Sequence, residues 1–257
     1  MVTRAALCQA PGAVPPILPD AIHVWVFRLD APDWRDRLRP GWLSADELAE
    51  VGRFAVEPLQ RRFVVCRTTL RGILGRYLGR PPGELTFAQN PHGKPYLNAA
   101  RARGRVRFNV AHCDELALVA VSQRRELGVD LERVRRANDI DDIVAQSFAP
   151  AERLAYLRTS PPDRLSAFYR YWTLKEAYLK ACGVGRSRPL AEIDVSRAED
   201  RLLCLPDALG TPRPWRCRTL EPAVGYCGAL VVEGRAGVSL TTMQLAPDGL
   251  DTAGGDS

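Results

Sequence analysis

Two carboxylates in Gly128-Val129-Asp130-Leu131-Glu132 are separated by a single apolar residue. In an extended strand the side chains at i and i+2 point the same way, so Asp130 and Glu132 share one face and Val129 and Leu131 take the other. Acids that close repel unless protonated or bridged, and a hard divalent cation with oxygen ligands is the usual bridge. A solvated strand edge explains the same motif equally well. In Trp172-Thr173-Leu174-Lys175-Glu176-Ala177-Tyr178-Leu179-Lys180, Glu176 and Lys180 stand at i, i+4 and share a helical face. An ordinary surface ion pair has the same spacing. Lys175 sits about 100° round the helix from Glu176, so the two lysines cannot serve one atom from this helix. Asn90-Pro91-His92-Gly93-Lys94-Pro95 has the composition of a turn, with Lys94 between a flexible and a rigid residue. Phe108-Asn109-Val110-Ala111-His112 ends a strand at one of only three histidines.

Of 36 basic side chains only three are lysine, Lys94, Lys175 and Lys180, and all three fall in these motifs. Lysine is a compact charge with a tunable pKa, whereas arginine is a planar donor that does not titrate, so the few lysines retained are candidates for work that arginine does badly. The formal charge of +6 favours an anionic partner without choosing among nucleotide, nucleic acid and acidic protein. A nucleic-acid binder would interleave aromatics with a basic stripe. Aromatics are only 7% and the arginines are spread along the chain, which argues against that class and leaves it the remotest alternative. Seven cysteines without a C-x-x-C pair read as free thiols, mostly buried. With no apolar run of spanning length and no secretory signal, the expectation is a cytoplasmic protein without a membrane partner.

Positioning these residues requires a packed scaffold. Ala21 to Leu29 alternates as a strand, and Ser44-Ala45-Asp46-Glu47 is a capping box opening a helix. Leu59, Phe63, Leu70, Leu74 and Leu78 mark one face of a long helix that Gly79 and Pro81-Pro82 stop. Strands are expected at Glu84 to Phe87, Val106 to Val110, Leu116 to Ser122 and Leu127 to Glu132, then helices from Ile140 to Leu157 and Pro161 to Cys182. Further strands are expected at Leu190 to Val195, Trp215 to Leu220, Val224 to Val232 and Val238 to Leu245. The fold class is α+β. It divides into a loose tail over 1–20, an N-terminal half over 21–124, a C-terminal half over 125–246 and a second tail over 247–257.

Taken in order, the GKP turn (Gly93 to Pro95), FNVAH (Phe108 to His112), GVDLE and WTLKEAYLK resemble the 4′-phosphopantetheinyl transferases of the larger, surfactin-synthetase-activating type, over roughly Leu43 to Gly185. The resemblance implies two pseudo-symmetric halves, each a small sheet on a long helix, with the active site in the cleft between them. It implies coenzyme A as substrate and Mg²⁺, with Mn²⁺ as the alternative ion, on Asp130, Glu132 and Glu176. Lys180 matches the lysine that reaches the pyrophosphate. Gly93, Lys94, Pro95, Asn109 and His112 match nucleotide and phosphate contacts, and Arg62 extends the match to the first long helix. Ala111 stands where relatives commonly have serine. Glu50 stands where some carry a basic residue, and the nearby Arg53 replaces it. Glu176, Lys180 and His112 are the implied catalytic residues, and Lys175 is assigned to the carrier-protein face. The implied partner is an apo acyl or peptidyl carrier protein, served by a monomer. Another Mg²⁺-dependent nucleotide phosphotransferase is the alternative.

Overall fold

The computed structural model describes residues 8–9, 16–32, 34–36, 42–98, 106–198, 202–206, 211–235 and 237–245. The element order is β1 (Cys8–Gln9), β2 (Ala21–Arg28), α1 (Ala45–Val51), α2 (Glu57–Leu78), β3 (Phe87–Gln89), β4 (Pro95–Leu97), β5 (Arg107–Cys113), β6 (Leu116–Ser122), β7 (Leu127–Arg133), α3 (Ile140–Ser147), α4 (Pro150–Arg158), α5 (Arg164–Cys182), β8 (Leu202–Pro206), β9 (Pro212–Leu220), β10 (Tyr226–Glu233) and β11 (Ser239–Gln244). Two sheets carry the architecture, one of order β1-β11-β2-β6-β5 and one of order β7-β10-β9-β8, with β3 and β4 a separate hairpin. The class is α+β.

Each sheet packs a long helix on one face and the other sheet on the opposite face. Val64, Leu70, Ile73 and Leu74 of α2 join Trp25, Phe27, Val119 and Val121 in one core. Phe168, Leu174 and Tyr178 of α5 join Trp215, Ala229 and Val231 in a second. Between the sheets, Val24, Val26, Leu118 and Ala120 meet Val129, Leu131 and Leu230. Strands covered on both faces lose the alternation of a half-exposed sheet, which is why β6 is buried at every position.

The two helices end where the chain chemistry dictates. The Ser44 side chain accepts from the Glu47 amide while Glu47 returns to the Ser44 amide, closing the capping box on α1. Gly79 and Gly183 stop α2 and α5 in the left-handed region at φ 61° and 69°.

Several expectations are corrected. The helix expected from Ile140 to Leu157 is two helices, because Pro150 forces Ala149 into an extended conformation and starts α4. Pro82 to Glu84 is a 3₁₀ turn and the strand expected there begins only at Phe87. Leu190 to Glu192 is likewise a 3₁₀ turn instead of a strand. The last strand leaves the C-terminal half: β11 pairs in parallel with β2 and with β1, so the first sheet holds residues from both ends of the chain. Residues 8–9 of the expected N-terminal tail thereby gain a strand partner, and the tail over 247–257 lies outside the described residues.

Candidate functional site

The edge strands β5 and β7 come together where the two sheets meet. Their seam is closed by side chains. Asn109 is buried, and its Oδ1 accepts from the Val129 amide at 2.9 Å, a β7 backbone donor that no strand satisfies. Lys94 Nζ donates to the carbonyls of Leu127 at 3.1 Å and Ala181 at 2.9 Å and to Glu126 at 3.4 Å. Asn90 Nδ2 donates to the Gly183 carbonyl at 2.7 Å, while its Oδ1 accepts from the amides of His92 and Lys94 and shapes the turn. Gly93 supplies the positive φ, 83°, that the turn needs. Burial pulls the Lys94 ammonium below its usual pKa against the opposing pull of Glu126.

Gly128 explains how α5 reaches β7. A Cβ there would lie 2.1 Å from the Ala177 carbonyl and 2.3 Å from the Ala181 amide, so only glycine lets the helix backbone settle on the strand. That close approach brings Lys180 Nζ to 2.7 Å from Asp130 Oδ1. The Asp130 side chain is 6% exposed and that of Lys180 34%, so the pair stands at the rim of the core. Asp130 Oδ2 is buried and has no hydrogen-bond partner among the described residues.

Glu132, two residues on, accepts from Trp172 Nε1 at 3.4 Å and lies 3.8 Å from the Cys113 thiol. Burial raises its pKa, and the charge of Asp130 raises it further. Glu176 is half-buried on the face of α5 one turn before Lys180. Among the described residues no group of three or more acidic, histidine or cysteine side chains stands ready around one ion. The local chemistry still suits a hard cation: an unmatched buried carboxylate oxygen beside a second carboxylate held partly out of water lacks a positive charge that a single ammonium does not fully supply.

His112, at the end of β5, faces a cluster of cations. Partial desolvation of the ring and then the charges of Lys180, Arg67 and Arg62 hold its pKa below the usual value. Arg67 is absent from the sequence reading and Arg62 is present in it. Both belong to α2 and both act on His112, and Arg67 packs its guanidinium 5.5 Å from the centre of the Phe63 ring. Ala111 is buried between the sheets. Arg53 is exposed and paired with Glu50 at 2.6 Å, away from these contacts.

The assignment of Lys175 to a carrier-protein face is overturned. Its side chain is 0% exposed, paired at 2.7 Å with an equally buried Glu152. A cavity of about 600 Å³ lies at the GKP end of the seam, lined by Lys94, Tyr96, Phe108, Cys182, Trp215 and neighbours, and it reaches none of the three acids.

Among the described residues no helix is long and apolar enough to cross a membrane. Residues 33–124 match the model of the 4′-phosphopantetheinyl transferase N-terminal family, and residues 126–231 match that of the 4′-phosphopantetheinyl transferase superfamily. The chain is 37% identical over 219 residues to the 4′-phosphopantetheinyl transferase HetI of Nostoc sp., covering 85% of this chain and 90% of the relative. It is 34% identical over 197 residues to the putative 4′-phosphopantetheinyl transferase slr0495 of Synechocystis sp., covering 76% and 77%. A 4′-phosphopantetheinyl transferase of Bacillus subtilis is 26% identical over 158 residues, covering 62% of this chain and 68% of that one. The chain belongs to the 4′-phosphopantetheinyl transferase family, enzymes that use coenzyme A to load phosphopantetheine onto carrier proteins.

Proposed function

We propose that this enzyme transfers the 4′-phosphopantetheine arm of coenzyme A to a serine of an apo acyl or peptidyl carrier protein, with Mg²⁺, or Mn²⁺ in its place, held by Asp130, Glu132 and Glu176. The serine oxygen bonds to the β-phosphorus, the bond from that phosphorus to the bridging oxygen breaks, and adenosine 3′,5′-bisphosphate leaves with the electron pair. The serine proton passes to Glu176. A bound divalent cation supplies charge neutralisation at the pyrophosphate oxygens. Lys180 meets charge growing on the leaving group, and His112, Arg62 and Arg67 bind the remaining phosphate, so most of the rate comes from positioning and electrostatics. Lys94, Asn109 and Asn90 hold the walls in register. The observation that carries the reading is Asp130: buried, gripping Lys180 with one oxygen and leaving the other unmatched beside Glu132. One chain contributes both walls of the seam, which supports action as a monomer.

Single-turnover transfer to one carrier protein across a Mg²⁺ titration tests the roles. Glu176→Gln lowers the rate by orders of magnitude, only partly restored by Mg²⁺. Lys180→Ala lowers the chemical rate more than coenzyme A affinity. Full rescue of Glu176→Gln would make Glu176 a ligand and not the base. Formation of a product other than adenosine 3′,5′-bisphosphate would favour the nucleotide phosphotransferase alternative.

A further inference from the structure

The buried pair Glu152–Lys175 touches no group assigned to the reaction, yet every polar atom in it is used. Lys175 Nζ donates to Glu152 at 2.7 Å, to the Leu190 carbonyl at 2.8 Å and to the Ile193 carbonyl. Glu152 Oε2 also accepts from the Ala149 amide at 2.7 Å, capping α4, and Oε1 accepts from the Val195 amide at 2.7 Å. Two segments, the start of α4 and the stretch from Leu190 to Val195, are thus bolted to one point on α5. A buried charge pair is weak as a source of stability, because desolvation cancels much of its attraction, and its better attested use is to fix one arrangement among several. What it fixes here is the roll of α5. Lys175 immediately precedes Glu176 and is five residues before Lys180, and about 100° per residue converts any roll at Lys175 into a displacement of both.

We propose that Glu152 and Lys175 are positioning residues for the transfer reaction: the pair locks the rotation of α5 so that Glu176 and Lys180 stand over the carboxylates of β7. The proposal rests on the function given above and deepens it. Trp172, three residues before Lys175, reports the same roll in the enzyme without Mg²⁺ or turnover, because its indole N–H reaches Glu132.

A second buried ion pair supplies the control. In the N-terminal half Arg71 binds Glu47 at 2.8 Å and the carbonyls of Pro82 and Leu85, with side chains 2% and 13% exposed; it lies one turn after Arg67 on α2, on a different helix from Glu176 and Lys180. Lys175→Met, the milder Glu152→Gln and Arg71→Met are compared with the parent enzyme at a temperature where each is fully folded. Transfer to a carrier protein is measured with Mg²⁺ varied, together with the 5-fluorotryptophan resonance of Trp172, identified by Trp172→Phe. The expected result is a fall in kcat of at least about tenfold for Lys175→Met and a smaller fall for Glu152→Gln. Half-maximal Mg²⁺ rises, the KM for coenzyme A is unchanged, and the Trp172 resonance shifts. Arg71→Met melts earlier but keeps its kcat and its Trp172 resonance. If Lys175→Met does not fold, Glu152→Gln decides alone. Parental kcat and Mg²⁺ response in the folded variants, or equal losses in Arg71→Met, overturn the proposal. If the parent enzyme transfers nothing, the functional reading fails, and the Trp172 resonance still decides whether the pair sets the roll of α5.

Discussion

Lys175 and Lys180 are five residues apart on one helix, each paired with a carboxylate at 2.7 Å, and their surroundings differ in completeness. Around Lys175 each donor and acceptor has a partner and no side chain sees water. Around Lys180 the side chain is one-third exposed, and its partner keeps a buried oxygen with no hydrogen-bond partner among the described residues. A saturated polar cluster rigidifies, whereas one left short of a charge is a place for a ligand to complete. Charge and distance alone do not distinguish the two pairs; the count of unmatched atoms does.

The largest expected effect breaks the saturated pair. Lys175→Ala strands a buried carboxylate and two carbonyls, and a loss of about 3–5 kcal/mol is expected in urea denaturation. Lys180→Ala also strands a buried carboxylate, Asp130, but water reaches the one-third-exposed position that the lysine vacates, so its cost stays at about 1–3 kcal/mol while transfer falls steeply. Equal losses of stability would erase the distinction between the two lysines.

A smaller effect is expected at the seam, where a neutral side chain does what Lys175 does with charge. Asn109→Ala leaves the Val129 amide buried without an acceptor, at a cost of about 1–3 kcal/mol by the same measurement. A further expectation separates support from ligation: in the folded Asn109→Ala protein, binding of adenosine 3′,5′-bisphosphate keeps the salt dependence of the parent, because no phosphate contact is lost.

What the sequence made legible was local. A two-residue period places Asp130 and Glu132 on one face, and a four-residue period relates Glu176 to Lys180, so the motifs could be read before their surroundings. The partners were not legible. Lys94 and Asn109 are spent on Leu127, Ala181 and Val129, which lie in the other half of the chain. Arg67 and Arg62 sit five residues apart on α2, and only the placement of β5 against that helix brings both to His112. The strand expected at Leu190 to Val195 fails for a related reason. The backbone groups such a strand would offer a neighbour, the carbonyls of Leu190 and Ile193 and the amide of Val195, are taken by Lys175 and Glu152, so the segment's β-rich composition is overridden by two distant side chains. The exchange of β11 into the first sheet is likewise a choice between two apolar edges that composition does not distinguish.

The smallest expected effect sharpens the comparison with a buried polar group whose free form titrates near neutrality. His23 on β2 is 4% exposed, and its Nδ1 lies 2.7 Å from the Tyr77 hydroxyl. That hydroxyl also accepts from the Trp25 indole N–H at 2.9 Å, and it donates to Nδ1 or accepts from it according to the imidazole tautomer. Burial lowers the His23 pKa below 6.5, because it disfavours the charged ring. In the unfolded chain His23 takes up a proton at about pH 6.5, and in the folded chain only lower. The stability it contributes is therefore complete above pH 6.5 and is lost as pH falls from there towards the folded value, by at most about 1.4 kcal/mol per pH unit. Urea midpoints for the parent and His23→Gln between pH 7.5 and 5.5 isolate this share, since other titrating groups cancel in the difference. The parent should lose more stability than the variant over that window; parallel curves would show that His23 accepts its proton in the fold, making it a site that tolerates charge as Lys180 does and Lys175's surroundings do only with Glu152 in place.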